Sequence, residues 1–203
     1  MSKQKKLDDL NQYWQEKCSC GLKKVATRAV FGDGNPCSEI VFIGEAPGKK
    51  EDELGVPFVG SAGKFLDEML TCIKLKRKDI YITNIVKYRP PDNRDPLPEE
   101  KEACNEWLLN ELKIISPKLI VFLGRHSMIH FFPNEKIGCV HGKLLIKEIE
   151  ELGEKAFFPL YHPAAALYNG SLRETLIKDF KKNKTCFKEI KIILFYNFYI
   201  VST

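Results

Sequence analysis

The strongest constraint on this chain is residues 43–63, Ile-Gly-Glu-Ala-Pro-Gly-Lys-Lys-Glu-Asp-Glu-Leu-Gly-Val-Pro-Phe-Val-Gly-Ser-Ala-Gly. Five glycines and two prolines fall within it. Such a backbone is shaped for turns and for the close approach of another group, not for one regular element. The apolar run at 39–43 stops abruptly at Gly44, which reads as a buried strand closed by a glycine turn. Apolar residues resume at 65, 66, 69, 70 and 73, the spacing of one helix face. The order is strand, long glycine loop, helix. In an open α/β sheet, ligands bind in that position, beyond the carboxyl ends of the strands.

The rest of the chain repeats the alternation. Apolar positions 7, 10, 13 and 14 predict a short covering helix over 7–17, and 79–86, rich in β-branched residues, predicts a second strand. The loop at 88–98 holds four prolines, so neither helix nor interior strand can run through it. Pro98 opens a helix to about residue 115, with acidic residues in its first turn where the helix dipole favours them. Residues 118–124 read as a third buried strand, followed by a short helix to about 132. Residues 135–152 read as a hairpin or excursion, 156–161 as a fourth strand, and 171–182 as a final helix. Strands alternating with helices imply a parallel sheet covered on both faces. Right-handed crossovers leave few orders open. The expected fold is a three-layer α/β/α sandwich around a four-stranded parallel sheet, order 2-1-3-4.

At 203 residues and 44% apolar content the chain has material for one domain, expected over 1–184. An apolar C-terminal extension, 185–203, follows; it is too short to span a bilayer as a helix and is expected to add a strand. A net charge of +5 suits a polyanionic partner without requiring one. The amino terminus lacks the apolar core of a signal peptide, so a cytoplasmic location is expected, or a nuclear one in a cell with a nucleus. Seven irregularly spaced cysteines argue for thiols or a metal site over a disulfide framework.

The 44–63 stretch resembles the first motif of the family 4 uracil-DNA glycosylases, G-E-A-P-G-x-x-E-D-x-x-G-x-P-F-V-G-x-A-G, at every fixed position. Four further segments follow the family's order: 83–87 with 89–96, Ala103-Cys104, 121–124, and Tyr161-His-Pro-Ala-Ala165. The resemblance covers roughly 18–183 and implies a base-excision repair hydrolase acting on uracil-containing DNA, expected to be monomeric. Such an enzyme must rotate the nucleotide out of the helix and read its base in a closed pocket. The resemblance puts Gly44, Ala46, Phe58 and Asn84 around the uracil. Phe58 would stack on its face. Asn84 would donate to O4 and accept from N3–H, a pairing that cytosine reverses. Glu45 would stabilise the oxocarbenium-like sugar, orient the attacking water, or serve as its general base. His162 would donate to O2, where negative charge gathers as the base departs. Glu51 and Asp52 are read as fixing the loop. Lys87, Arg89 and Arg94 would meet phosphates. Leu167 and Tyr168 would wedge into the gap left by the flipped nucleotide; relatives usually carry arginine at the Tyr168 position.

Family members hold a 4Fe-4S cluster with four cysteines. Here Cys20 and Cys104 stand at matching positions, Cys18 falls one residue late, and the third ligand position is Tyr88. Tyrosine is not a usual ligand for such a cluster. Either an incomplete set, Cys18, Cys20 and Cys104, holds it, or packing ties the N-terminal segment to the 98–115 helix. The broken pattern also motivates an alternative, a catalytically weak relative that binds uracil or damaged DNA without cleaving it.

Overall fold

A computed structural model describes residues 1–182 and Phe187. Within them the order is α1 (Lys3–Lys17), β1 (Asp33–Gly34), β2 (Ile40–Gly44), α2 (Lys49–Leu54), α3 (Ser61–Cys72), β3 (Tyr81–Asn84), α4 (Pro98–Ile115), β4 (Leu119–Leu123), α5 (Arg125–Phe131), α6 (Ile137–Val140), β5 (Leu145–Ile149), β6 (Gly153–Leu160) and α7 (Gly170–Lys182). The described strands form one sheet ordered β1-β3-β2-β4-β6-β5. Its four central strands are parallel and follow the expected 2-1-3-4 order.

The strand count is a correction: six, not four. β1 adds antiparallel to β3, and β5 folds back on β6 as a hairpin. Neither edge strand has an unbroken apolar run, because each is covered on one side at most; β5 exposes Lys147 and Glu148. Charges on edge strands are a common guard against pairing with other chains. The glycine loop is also not a loop throughout. It contains the two-turn helix α2, started at Gly48 and stopped at Gly55, whose φ of 76° is left-handed. The strand expected over the C-terminal extension lies outside the described residues.

Two apolar layers cover the sheet. Alternate residues of β2 point opposite ways: Val41 and Ile43 pack with Leu108, Leu112 and Trp107 of α4, while Ile40 and Phe42 pack with Leu66 and Leu70 of α3 and Leu176 and Phe180 of α7. Trp107 is fully buried, stacks on Trp14 of α1 with centroids 6.4 Å apart, and donates its Nε1–H to Asn11 at 3.0 Å. A tryptophan of this burial removes about 150–250 Å² from water, roughly 4–6 kcal/mol of gross transfer free energy. That contact docks α1 across the sheet from α3 and α7. What matters for chemistry is the shared direction of β2, β3, β4 and β6: their carboxyl ends, at Gly44, Asn84, Leu123 and Leu160, open on one edge.

Candidate active site

The carboxyl edge holds a cavity of about 320 Å³, lined by residues including Glu45, Ala46, Phe58, Asn84, Arg94, Asp95 and His162. Glu45, Phe58, Asn84 and His162, expected from three separated segments to meet, do meet here.

Asn84 ends β3, and strand alternation turns it toward the α3 face. It is 2% exposed, and its Oδ1 is buried with no hydrogen-bond partner among the described residues. A buried acceptor left unpaired costs about 1–3 kcal/mol, so this oxygen is set to receive a donor from a ligand. Gly44, beside it on β2, makes the room: a Cβ there would stand 2.4 Å from Asn84 Oδ1 and 2.6 Å from Phe58 Cζ. Any side chain at position 44 would fill the space between Asn84 Oδ1 and the Phe58 ring.

Phe58 forms the wall beneath, 6.0 Å between ring centroids from His162. Its backbone is left-handed, φ 54°, which for a non-glycine residue costs about 1–3 kcal/mol. The loop is clamped to hold it there. Arg77 donates to the carbonyls of Pro57, Phe58 and Gly63, and Glu51 accepts from the amides of Val59 (2.9 Å) and Gly60 (2.8 Å). Asp52 is 4% exposed and accepts from Thr27 N and Oγ1 at 2.9 and 2.7 Å. Both carboxylates therefore fix the loop, as expected. At Gly63 a Cβ would lie 1.7 Å from Phe58 O, so the turn tolerates only glycine there.

His162 follows β6. Its Nδ1 accepts the amide of Ala164 at 3.1 Å, which leaves the neutral ring's proton on Nε2. Burial pushes its pKa down to about 4, so near neutral pH it is an uncharged donor. Glu45 sits one residue beyond β2, its carbonyl accepting from Val86 at 3.2 Å. Burial first and Asp95 second push its carboxyl up to about 7, against the pull of Lys101 and Arg125. Its Oε1 is buried and unpartnered among the described residues.

One expected DNA contact is corrected. Lys87 is fully buried and cannot meet a phosphate. Its Nζ is 2.6 Å from Glu111 of α4 and donates to Thr83 Oγ1 and to the Asn84 carbonyl. Tyr81 and Thr83 complete the Glu111 shell at 2.9 Å each. Removing one partner of such a pair costs about 3–5 kcal/mol, so substitution at Lys87 reports on the fold. Arg94 lines the cavity and is held by Glu100 at 2.6 Å, while Arg89 of the same proline loop donates to Asn93 at 2.8 Å. Leu167 and Tyr168 are 39% and 92% exposed, large apolar surfaces at the turn after His162.

Sequence reasoning assigned no role to His126 or Asp95. His126 Nδ1 lies 3.4 Å from Glu45 Oε1, and its Nε2 lies 3.1 Å from Asp95 Oδ2. A signal was present: His126 stands three residues past β4, on the same edge as the other loop residues.

The cysteines converge away from this cavity. Cys18, Cys20 and Cys104 are all buried beside Tyr88, and hydrogen bonds to the other two thiols, with burial, push Cys104 far above the usual thiol range. Cys18 and Cys20 face the backbone carbonyls of Ala103 and Glu100. The buried Tyr88 hydroxyl has no hydrogen-bond partner among the described residues, and burial, then the thiols, raise its pKa to about 12. Among the described residues, Cys18, Cys20 and Cys104 bring three thiols together, and at the remaining ligand position Tyr88 offers a phenol, one sulfur short of a four-cysteine set.

The uracil DNA glycosylase superfamily model matches residues 31–191. The type-4 uracil-DNA glycosylase of Archaeoglobus fulgidus is 48% identical over 182 residues, 87% of this chain and 90% of the relative. That of Sulfurisphaera tokodaii is 46% identical over 185 residues, 87% and 84% of the two chains, and that of Thermotoga maritima 42% over 177, 86% and 91%.

Proposed function

The chain belongs to the uracil DNA glycosylase superfamily, and from that premise we propose that it excises uracil from DNA by hydrolysing the N-glycosidic bond, leaving an abasic site. The observation that carries this reading is the unpaired Asn84 Oδ1 over the Phe58 ring, with Glu45 and His162 lining the same cavity.

The steps follow from the geometry. An extruded base enters over Phe58, and Asn84 Oδ1 accepts from its N3–H while the amide NH₂ reaches O4. Cytosine presents the opposite pattern, leaving two buried groups unpaired. As the bond to the sugar lengthens, charge separates. His162 Nε2–H, uncharged and preorganised, donates to O2 of the departing base, and the Glu45 carboxylate faces the cationic sugar and the incoming water. Uracil departs as an anion, so no second carboxylic acid is needed on its side, unlike the paired carboxylates of sugar hydrolases. All these groups come from one chain, which supports a complete site in a monomer. Arg89 and Arg94 would hold phosphates, and Leu167 with Tyr168 would fill the vacated stack. Among the described residues no helix is long and apolar enough to cross a membrane.

The test is a uracil-containing oligonucleotide, single-stranded and paired, assayed for alkali-labile breaks. Breaks are expected with both, and Leu167→Ala should slow excision from the duplex more than from the single strand, where no stack has to be opened. A protein that retains uracil-DNA without producing breaks would instead be the binding-only relative.

For the cysteine site, the trio and Tyr88 are read as packing that ties the N-terminal segment to α4. Iron analysis of anaerobically purified protein should find far less than four atoms per chain. A broad absorbance band toward the blue end of the visible, with matching iron and sulfide, would overturn this.

A further inference from the structure

We propose that His126 is a positioning residue for Glu45, an imidazole whose Nδ1–H orients Oε1 and favours the charged carboxylate. This rests on the reading of Glu45 as the reactive carboxylate.

The two atoms lie 3.4 Å apart, both buried, and among the described residues neither has a hydrogen bond, to the other or to any third group. The distance is longer than an optimal N–H···O bond of about 2.9 Å. Contacts of this kind in substrate-free sites commonly tighten when the substrate binds. On the far side of the ring, Arg125 and Asp95 both face Nε2. Nε2 accepts from Arg125 Nε at 3.0 Å, which requires a lone pair there and puts the neutral ring's proton on Nδ1. When the ring is protonated, both nitrogens donate, Nδ1 toward Glu45 and Nε2 toward Asp95 Oδ2 at 3.1 Å. In the neutral ring bonded to Arg125 and in the protonated ring alike, Nδ1 carries a hydrogen on the side of Glu45.

The charged groups around this pair come from each neighbouring element. Asp95 on the proline loop repels the Glu45 charge; Lys101 on α4 and Arg125 on α5 favour it. Glu51, Arg94 and His162 line the same cavity. Lys101 and Arg125 also oppose protonation of His126, while Asp95 favours it. Once the contact tightens, an Nδ1–H bonded to Oε1 stabilises only the ionised form of Glu45, so it acts against the burial and the Asp95 charge that hold the carboxyl up.

Single-turnover excision from a uracil-containing oligonucleotide, followed across pH, tests this with wild type, His126→Phe, His126→Asn, Glu45→Gln and the double variant His126→Phe/Glu45→Gln. Asparagine keeps an N–H close to the position of Nδ1; phenylalanine keeps only the ring. We expect His126→Phe to slow the chemical step roughly ten- to hundredfold, the worth of a hydrogen bond to a charged group. Oligonucleotide affinity should stay unchanged, and the acid limb should move to higher pH. His126→Asn should recover most of the rate and return the limb toward wild type. In the Glu45→Gln background the phenylalanine substitution should have little further effect. A thermal melt of each variant shows that it is folded. The inference is overturned if His126→Phe keeps the wild-type rate and pH profile. It is equally overturned if the loss is as large without Glu45, or if asparagine recovers nothing while folded. Wild type that releases no uracil overturns the functional reading itself, which separates the two failures.

Discussion

Replacing Asn84 with alanine should lower uracil excision by roughly two to four orders of magnitude, the worth of two buried hydrogen bonds that are made to the ligand and absent in the free protein. The free protein should hardly notice. Asn84 Oδ1 has no partner among the described residues, so its removal breaks no bond that this oxygen makes within the fold, and the melting temperature should stay close to wild type. The combination of a large kinetic effect with a small stability effect distinguishes a recognition amide from one capping a turn. Single-turnover excision beside a thermal melt checks it. A variant within about fivefold of the wild-type rate would remove Asn84 from base recognition.

Glu45→Gln should have the second large effect, about 10²- to 10⁴-fold on excision, the usual range when a positioned base is lost. Two pH dependences follow from its raised pKa of about 7. Wild-type activity should fall as pH drops through about 7, because the group must be charged to face the sugar and the water. His162, neutral above about 4, does not limit that range. Stability should move the other way. The folded state holds the Glu45 proton more tightly than the unfolded chain, so this group's contribution to stability is fully present below the unfolded pKa near 4.5 and is lost as pH rises to about 7. Glutamine has no charge to desolvate. The variant should therefore melt above wild type at pH 8 and level with it at pH 4. A wild-type rate that is flat from pH 5 to 8, or a variant less stable than wild type at pH 8, would contradict the assigned environment. Such a trade between activity and stability is common where a site holds a group in an unfavourable environment.

The parallel core could be read from the chain because its causes are local. Apolar runs at 39–43 and 118–123, with Gly44 and Gly124 after them, can be buried on both faces only in a parallel sheet, and crossover handedness then leaves the order 2-1-3-4. Glu45, Asn84 and His162 each stand within two residues of a strand's carboxyl end, so putting the strands in parallel already put these residues on one edge. The edge strands were harder to see. β1 is two residues long, and β5 carries exposed charges, so neither shows a periodicity.

What the sequence determined by itself was the four parallel strands, their order and the loop that carries the ring, since each follows from which residues neighbour one another along the chain. Only tertiary structure decided where each side chain points and what it meets. Thr83 and Asn84 are adjacent, yet strand alternation sends the first to Glu111 and the second into the cavity, and Lys87 goes to the buried side with Thr83. A lysine in a basic loop and a lysine ion-paired at 2.6 Å with a glutamate 24 residues later read alike in the sequence. His126 meets Glu45 for the same reason: their approach is set by how far apart β2 and β4 hold their ends, a distance across the sheet that residue spacing does not encode.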